Sequence, residues 1–155
     1  MISSFLLDAS GLHRREVAQG TPVPDGSIWV DLLEPSAEEE QRLESQFGID
    51  VPTPEEMREI DRPESSQVTF ILTPDTLVTN RYTDPLPFRR FIAYTARHAG
   101  HCATAIAVLA GLLEALVNRI ADVLERIAAD MDTLSSEVFT PPAPGMRRRT
   151  RDYRA

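Results

Sequence analysis

The sequence predicts a long amphipathic helix near the C-terminus of this chain. Apolar residues recur there every three or four positions, which is the period of an α-helix and not of a strand. The predicted helix runs from about Cys102 to Phe139, stops before Pro141-Pro142, and at about 1.5 Å per residue would be roughly 57 Å long. Because a domain of this chain length is only about 30–35 Å across, we expect the helix to extend beyond it and to need a partner helix. The apolar stripe consists of Ile106, Leu109, Leu113, Leu116, Ile120, Leu124, Ile127, Met131, Leu134 and Val138.

The charge of the chain is acidic and unevenly distributed. Its formal net charge is −8, with −12 over residues 1–140 and +4 over residues 141–155. An acidic body argues against nucleic acid as a partner, because displacing counterions requires clustered cations. The same surface favours the attraction of cations. All 16 basic side chains are arginine, which indicates GC-rich coding and a bacterial source.

Cysteine usage and hydropathy predict a cytoplasmic protein. Cys102 is the only cysteine, so an internal disulfide is impossible, as expected in a reducing compartment. The N-terminus lacks the basic region and apolar run of a signal peptide. The longest apolar-rich stretch, Cys102 to Val117, is interrupted by Glu114 and is too short to span a bilayer.

Strand and helix signals alternate ahead of the long helix. Two capping boxes, Ser36 with Glu39 and Thr53 with Glu56, each predict a helix start. The turn Thr73–Thr76 predicts a hairpin. Strands are predicted over residues 2–8, 12–17, 28–32, 68–72 and 77–81, and helices over 36–47, 54–60 and 84–95.

These elements predict an α/β (α+β mixed) fold, in which a mixed β-sheet flanked by short helices is followed by one long amphipathic α-helix. We predict three segments along the chain. A mixed-sheet domain occupies residues 1–100, the long acidic helix residues 101–140, and a basic tail residues 141–155.

Four segments, taken in order, resemble one family of proteins. They are Trp29–Glu39, Gly48–Met57, Phe70–Thr79 and Leu112–Asp122. Together they resemble the CorA-like divalent-cation transporters, which handle magnesium, cobalt or zinc. The resemblance implies a pentamer whose N-terminal cytoplasmic domain forms a funnel, and whose two membrane helices follow with a Gly-Met-Asn signature at the pore.

The chain departs from the family pattern in two places. Gly145-Met146 is followed by Arg147, so it is not the pore signature, and the resemblance implies truncation before the membrane helices. Contact with a membrane is then expected only through family segments that the sequence does not contain. The family also carries additional sheet strands between the equivalents of Ile60 and Pro63, so internal strands near residues 60–63 are expected to be missing.

Acidic residues on the long helix are the candidate metal ligands that the resemblance implies. Mg²⁺ retains most of its waters and accepts one or two carboxylates, so a loose acidic face suits it. We therefore expect no tightly bound cofactor, but weak binding of Mg²⁺ or another divalent cation. The alternative is a solvated face with i,i+4 ion pairs that join Arg126 to Asp122 and Asp130. The candidate residues are Glu114, Asp122, Glu125, Asp130, Asp132 and Glu137.

Other chemistry-bearing residues favour structural roles. His98, His101 and Cys102 are zinc-type ligands, but a structural zinc site usually needs four, so an ordinary loop is expected. Asp31 and Glu34 are assigned to turn and helix-start roles. No Gly-rich phosphate loop, Ser-His-Asp pattern or metal-hydrolase motif is present, and we predict that the protein is not an enzyme.

The sequence thus predicts the truncated cytoplasmic domain of a CorA-like magnesium or divalent metal ion transporter. Its role in the full-length protein would be regulatory, through gating, with no pore in this chain. The expected partners are divalent cations and further copies of the chain, joined through the long helix as a homo-oligomer. The alternative is a stand-alone soluble, self-associating interaction module or a gene relic.

Overall fold

The computed structural model describes residues 1–9, 11–53, 56, 67–98 and 102–139, with the side chains of residues 137–139 excepted. The chain divides into two compact units, Met1–Asn118 and Arg119–Ala155. Its elements are β1 (Ile2–Asp8), β2 (Gly11–Val17), β3 (Ser27–Leu33), α1 (Ala37–Phe47), β4 (Val68–Leu72), β5 (Leu77–Arg81), α2 (Leu86–Thr95) and α3 (Ala105–Phe139).

The five strands form one mixed sheet in the order β2-β1-β3-β5-β4. Strands β3 and β5 run parallel, and the other neighbouring pairs are antiparallel. The predicted hairpin is confirmed, because the amide of Thr73 donates to the carbonyl of Thr76 at 2.9 Å. Strand β3 pairs directly with β5, and residues 57–66, where family strands are expected to be missing, lie outside the described residues. The predicted mixed-sheet fold class is confirmed.

Apolar cores cover both faces of the sheet. On one face Trp29 is fully buried and stacks on Phe5, with a centroid distance of 4.0 Å. Helix α2 contributes Phe88 and Phe91 to this core. On the other face, Leu43 of α1 packs in a second core that consists of Ile2, Val23, Val30, Leu32, Leu43, Val51 and Val78.

Helix α1 begins at the predicted capping box. The amide of Glu39 donates to Ser36 Oγ at 3.3 Å, and the amide of Ser36 donates to Glu39 Oε2 at 3.0 Å. Gly48 ends the helix in the left-handed conformation, with φ of 62°. The second capping box is also present, because the amide of Thr53 donates to Glu56 Oε2 at 2.9 Å. The rest of the helix predicted over residues 54–60 lies outside the described residues.

Helix α3 begins at Ala105, three residues later than predicted. The hydroxyl of Thr104 accepts from the amide of Ala107 at 3.2 Å, and this cap fixes the start. Cys102 precedes the helix and is buried in the first core. Within the first unit, α3 packs on the sheet through a face that the predicted stripe does not include, formed by Ala105, Val108 and Leu112.

Candidate cation-binding helix

In the first compact unit, α3 separates a buried face from an exposed one. The buried face packs in the core, whereas Ile106 and Leu113 of the predicted stripe are exposed. Leu109 and Leu116 of the stripe are half-buried and pack against the core. Only part of the stripe therefore packs within this unit. Ile106 and Leu113 have no apolar cover among the described residues.

In the second compact unit, apolar side chains of α3 remain exposed along a seven-residue repeat. Their exposed fractions range from 49% at Ile127 to 65% at Met131. The steps between them alternate between four and three residues, which is the pattern of a coiled-coil seam. Exposed apolar rows of this kind mark interaction sites. We define the α3 seam as Ile120, Leu124, Ile127, Met131 and Leu134.

The acidic residues predicted as metal ligands are spread around α3. Glu114 lies in the first unit and is exposed, and four others are exposed in the second unit. Asp122 and Glu125 share a side of the helix in the second unit, because they are three residues or about 4.5 Å apart along the axis. Asp130 takes a heptad position beside the seam, and by the same spacing Asp132 points away from it. The side chain of Glu137 lies outside the described residues.

No group of three or more metal-ligating side chains comes together in the described part of the chain. Two carboxylates on one helix face match the small number of direct protein ligands that Mg²⁺ accepts. The two ion pairs of the alternative interpretation, Arg126 with Asp122 and with Asp130, do not form among the described residues. No nitrogen of Arg126 lies within 4.0 Å of either carboxylate. Glu114, Asp122, Glu125, Asp130 and Asp132 are thus exposed carboxylates, and their role as cation ligands stays a prediction.

Two of the residues considered as zinc-type ligands have other environments. Cys102 is buried in the first core, and burial raises the pKa of its thiol, which favours the protonated form. The ring of His98 stacks on Tyr94 with a centroid distance of 4.1 Å. His98 Nδ1 also lies 3.0 Å from the carbonyl oxygen of Tyr94. His101 lies outside the described residues.

A buried ion pair that the sequence did not reveal joins the parallel strands β3 and β5. The carboxylate of Asp31 accepts from Arg81 Nη2 at 2.8 Å and from Thr79 Oγ1 at 2.7 Å. Side chains of both Asp31 and Arg81 are almost fully buried. Arg81 also pairs with Asp84, which precedes α2, and lies over the ring of Phe88. Burial lowers the pKa of Arg81, but its bonds to Asp31 and Asp84 outweigh that effect and raise it.

The helix-start role assigned to Asp31 is therefore wrong. Ser36 and Glu39 already satisfy the N-terminal amides of α1, and Asp31 instead compensates a buried guanidinium. Glu34 adopts a positive φ of 45° in the turn that follows β3, and its amide donates to the carbonyl of Arg81 at 2.9 Å. The signal that could have located the pair is an aspartate at an inward position of an otherwise apolar strand, since such a charge needs a partner.

Comparison with known proteins gives a consistent set of relatives. Residues 51–155 match the sequence model of a family described as CorA-like Mg²⁺ transporter protein. The chain is 27% identical over 164 residues to the magnesium transport protein CorA of Salmonella typhimurium. It is 26% identical over 164 residues to the protein of the same name from Escherichia coli K12.

Both alignments cover 90% of this chain and 52% of the relative. The chain therefore spans about half the length of the curated relatives it matches. Among its described helices, none combines the length and apolar character that crossing a membrane would require.

Proposed function

Because this chain belongs to the family of CorA-like Mg²⁺ transporters, we propose that it serves as the cytoplasmic gating domain of a divalent-cation transporter. The observation that carries the proposal is the exposed α3 seam with carboxylates around it, within the region that matches the family. In this role the chain conducts no ions itself. It senses the cation and transmits its presence to a pore elsewhere in the assembly.

Self-association through the α3 seam is the first step of the proposed mechanism. Each seam side chain exposes about half or more of its surface, and removal of apolar surface from water contributes about 25 cal/mol per Å². A second copy offers the same seven-residue repeat, so knobs of one helix can enter the holes of the other. The proposed assembly is therefore a homo-oligomer with the seam at its centre.

Cation dependence follows from the carboxylates beside the seam. Association brings Asp130 of one copy towards a neighbouring copy that carries the same charge, and this repulsion opposes assembly. Mg²⁺ that retains its waters can lie between such carboxylates and reduce the repulsion. In the proposed mechanism, bound cations hold the assembly closed, and their loss at low Mg²⁺ concentration allows it to open.

The test is the mass of the full chain in solution, measured by light scattering after size exclusion. We expect a discrete oligomer whose dissociation constant falls when millimolar Mg²⁺ replaces NaCl of the same ionic strength. Asp130→Asn should abolish most of this Mg²⁺ dependence, because it removes the charge beside the seam. The matched control Asp132→Asn makes the same chemical change away from the seam and should leave the dependence intact.

The association surface is tested separately with Ile120→Asp combined with Leu124→Asp. Both positions are exposed, whereas Leu116 packs partly in the core and would confound the result with loss of stability. The double variant should be monomeric with or without Mg²⁺. An oligomer that ignores Mg²⁺ would contradict the gating proposal and favour a stand-alone self-associating module. A monomer under all conditions would contradict the association and favour a gene relic.

A further inference from the structure

The two edges of the sheet differ in how they are protected. The outer edge strand β2 carries exposed charged residues, including Arg14, Arg15 and Glu16, which discourage pairing with another strand. The opposite edge strand β4, Val68–Leu72, contains no charged residue and no proline. Its apolar and β-branched composition is typical of strands that add to another sheet. Charged side chains therefore oppose strand pairing at the β2 edge but not at the β4 edge.

The register of the hairpin identifies which backbone groups of β4 face outward. Bonded and non-bonded pairs alternate along an antiparallel ladder, and the Thr73–Thr76 bond fixes the phase. Thr69 and Ile71 therefore bond to β5, opposite Asn80 and Val78. The amide and carbonyl groups of the alternate residues Val68, Phe70 and Leu72 point away from β5. Among the described residues no strand pairs with this outer side.

We propose that β4 is a docking edge for β4 of a second copy of this chain, paired antiparallel about a two-fold axis at Phe70. In this register Phe70 lies opposite Phe70 of the partner subunit, and Val68 lies opposite Leu72 of the partner subunit. All outward amides and carbonyls of the two strands are then satisfied by about six hydrogen bonds. The two five-stranded sheets become one sheet of about ten strands, near the upper end of the usual range.

A second copy is the occupant that the chemistry of this edge favours. The edge itself is self-complementary, because Val68, Phe70 and Leu72 are spaced evenly and symmetrically about the central residue. No like charges meet across the two-fold axis, since the strand carries none. This association does not use the α3 seam and is independent of the proposed function.

The test is amide hydrogen exchange resolved by residue, at increasing concentrations of the full chain carrying Ile120→Asp and Leu124→Asp, which removes association through the seam. We expect the amides of Val68, Phe70 and Leu72 to exchange at least about tenfold more slowly as a dimer forms. The amides of Thr69 and Ile71 should be protected at every concentration, because they bond to β5. The alternation itself is the signature of pairing at the outer edge.

Leu72→Lys in the same background should abolish both the dimer and the added protection, because a lysine on an edge strand opposes pairing. The matched control is Leu7→Lys on the inner strand β1, since Leu7 and Leu72 are 38% and 45% exposed. That variant should dimerise like its parent, and Leu72→Pro, which removes an outward amide from the edge strand, provides a second edge variant if Leu72→Lys does not fold. Rapid exchange of the three outward amides at all concentrations would overturn the proposal. Protection that does not depend on concentration would also overturn it, because the cover would then lie within one chain.

Discussion

At the scale of single residues, the ion pair between Asp31 and Arg81 connects β3 to β5 where the two strands run parallel. Asp31→Asn keeps the shape of the side chain but leaves the guanidinium buried without its main counter-charge. We expect a loss of about 3 kcal/mol in the free energy of unfolding, because an uncompensated buried charge is costly. Urea unfolding measures this loss. The control Asp50→Asn changes an exposed carboxylate and should shift stability by less than about 0.5 kcal/mol; equal midpoints for both variants would refute the role of the pair.

The carboxylate of Glu39 makes the stability of the fold depend on pH. Burial raises its pKa, but bonds from the N-terminal ammonium and the Ser36 amide outweigh burial and place the pKa below the ordinary 4.5. A lowered folded pKa stabilises the fold above the unfolded value, and this contribution is lost as pH falls through the folded pKa. Glu39→Gln should therefore cost about 1 kcal/mol at pH 7 and little at pH 2. Thermal unfolding across this range, with the exposed Glu38→Gln as control, checks whether the gap closes with acid.

At the scale of elements, Gly111 allows α2 and α3 to approach closely. A Cβ at this position would lie 2.5 Å from Cε2 of Phe91, a ring already packed edge-on against Trp29. Gly111→Ala gains about 1 kcal/mol of helix propensity, but overpacking costs about 1–3 kcal/mol. We expect a net loss of about 1 kcal/mol in urea unfolding. In the background of Phe91→Leu, where the ring is gone, the same substitution should instead stabilise; a stabilising effect in both backgrounds would show that the contact carries no strain.

Helix α3 shows how far the periodicity of apolar residues can predict structure. The apolar spacing correctly predicted α3, which reaches Phe139, the last of the described residues. The spacing did not predict which face of α3 is buried, because Ala105 is small and because Val108 and Leu112 lie outside the predicted stripe. Because Gly111 has no side chain, α3 can approach α2 closely on the side of Gly111. Periodicity reports which residues share a side of a helix, but the size of the side chains determines which side packs within its own domain.

At the scale of the whole molecule, local signals predicted the strands better than their pairing. The turn chemistry of Thr73–Thr76 was sufficient for the β4–β5 hairpin because its partners are neighbours in sequence. The parallel pairing of Trp29 with Leu77 joins residues far apart in the chain, and no local pattern encodes it. The Asp31–Arg81 contact depends on that pairing, so it could not be predicted before the register was known. The acidic helix was predicted, and the apolar spacing alone places Asp130 beside the seam and Asp132 away from it. The structure adds that the side chains of the seam are exposed.

Disulfide trapping at the α3 seam tests directly whether two copies of the chain associate there. Ile127→Cys places a thiol on the seam, and Ala129→Cys places one on the opposite side of the same helix. Cys102 is buried, and Cys102→Ser removes it from the background. With Mg²⁺ and a mild oxidant, we expect the chain with Ile127→Cys to form covalent dimers at least about tenfold faster than the chain with Ala129→Cys, because only the seam brings two helices within disulfide distance. Equal rates for the two variants would contradict association through the seam.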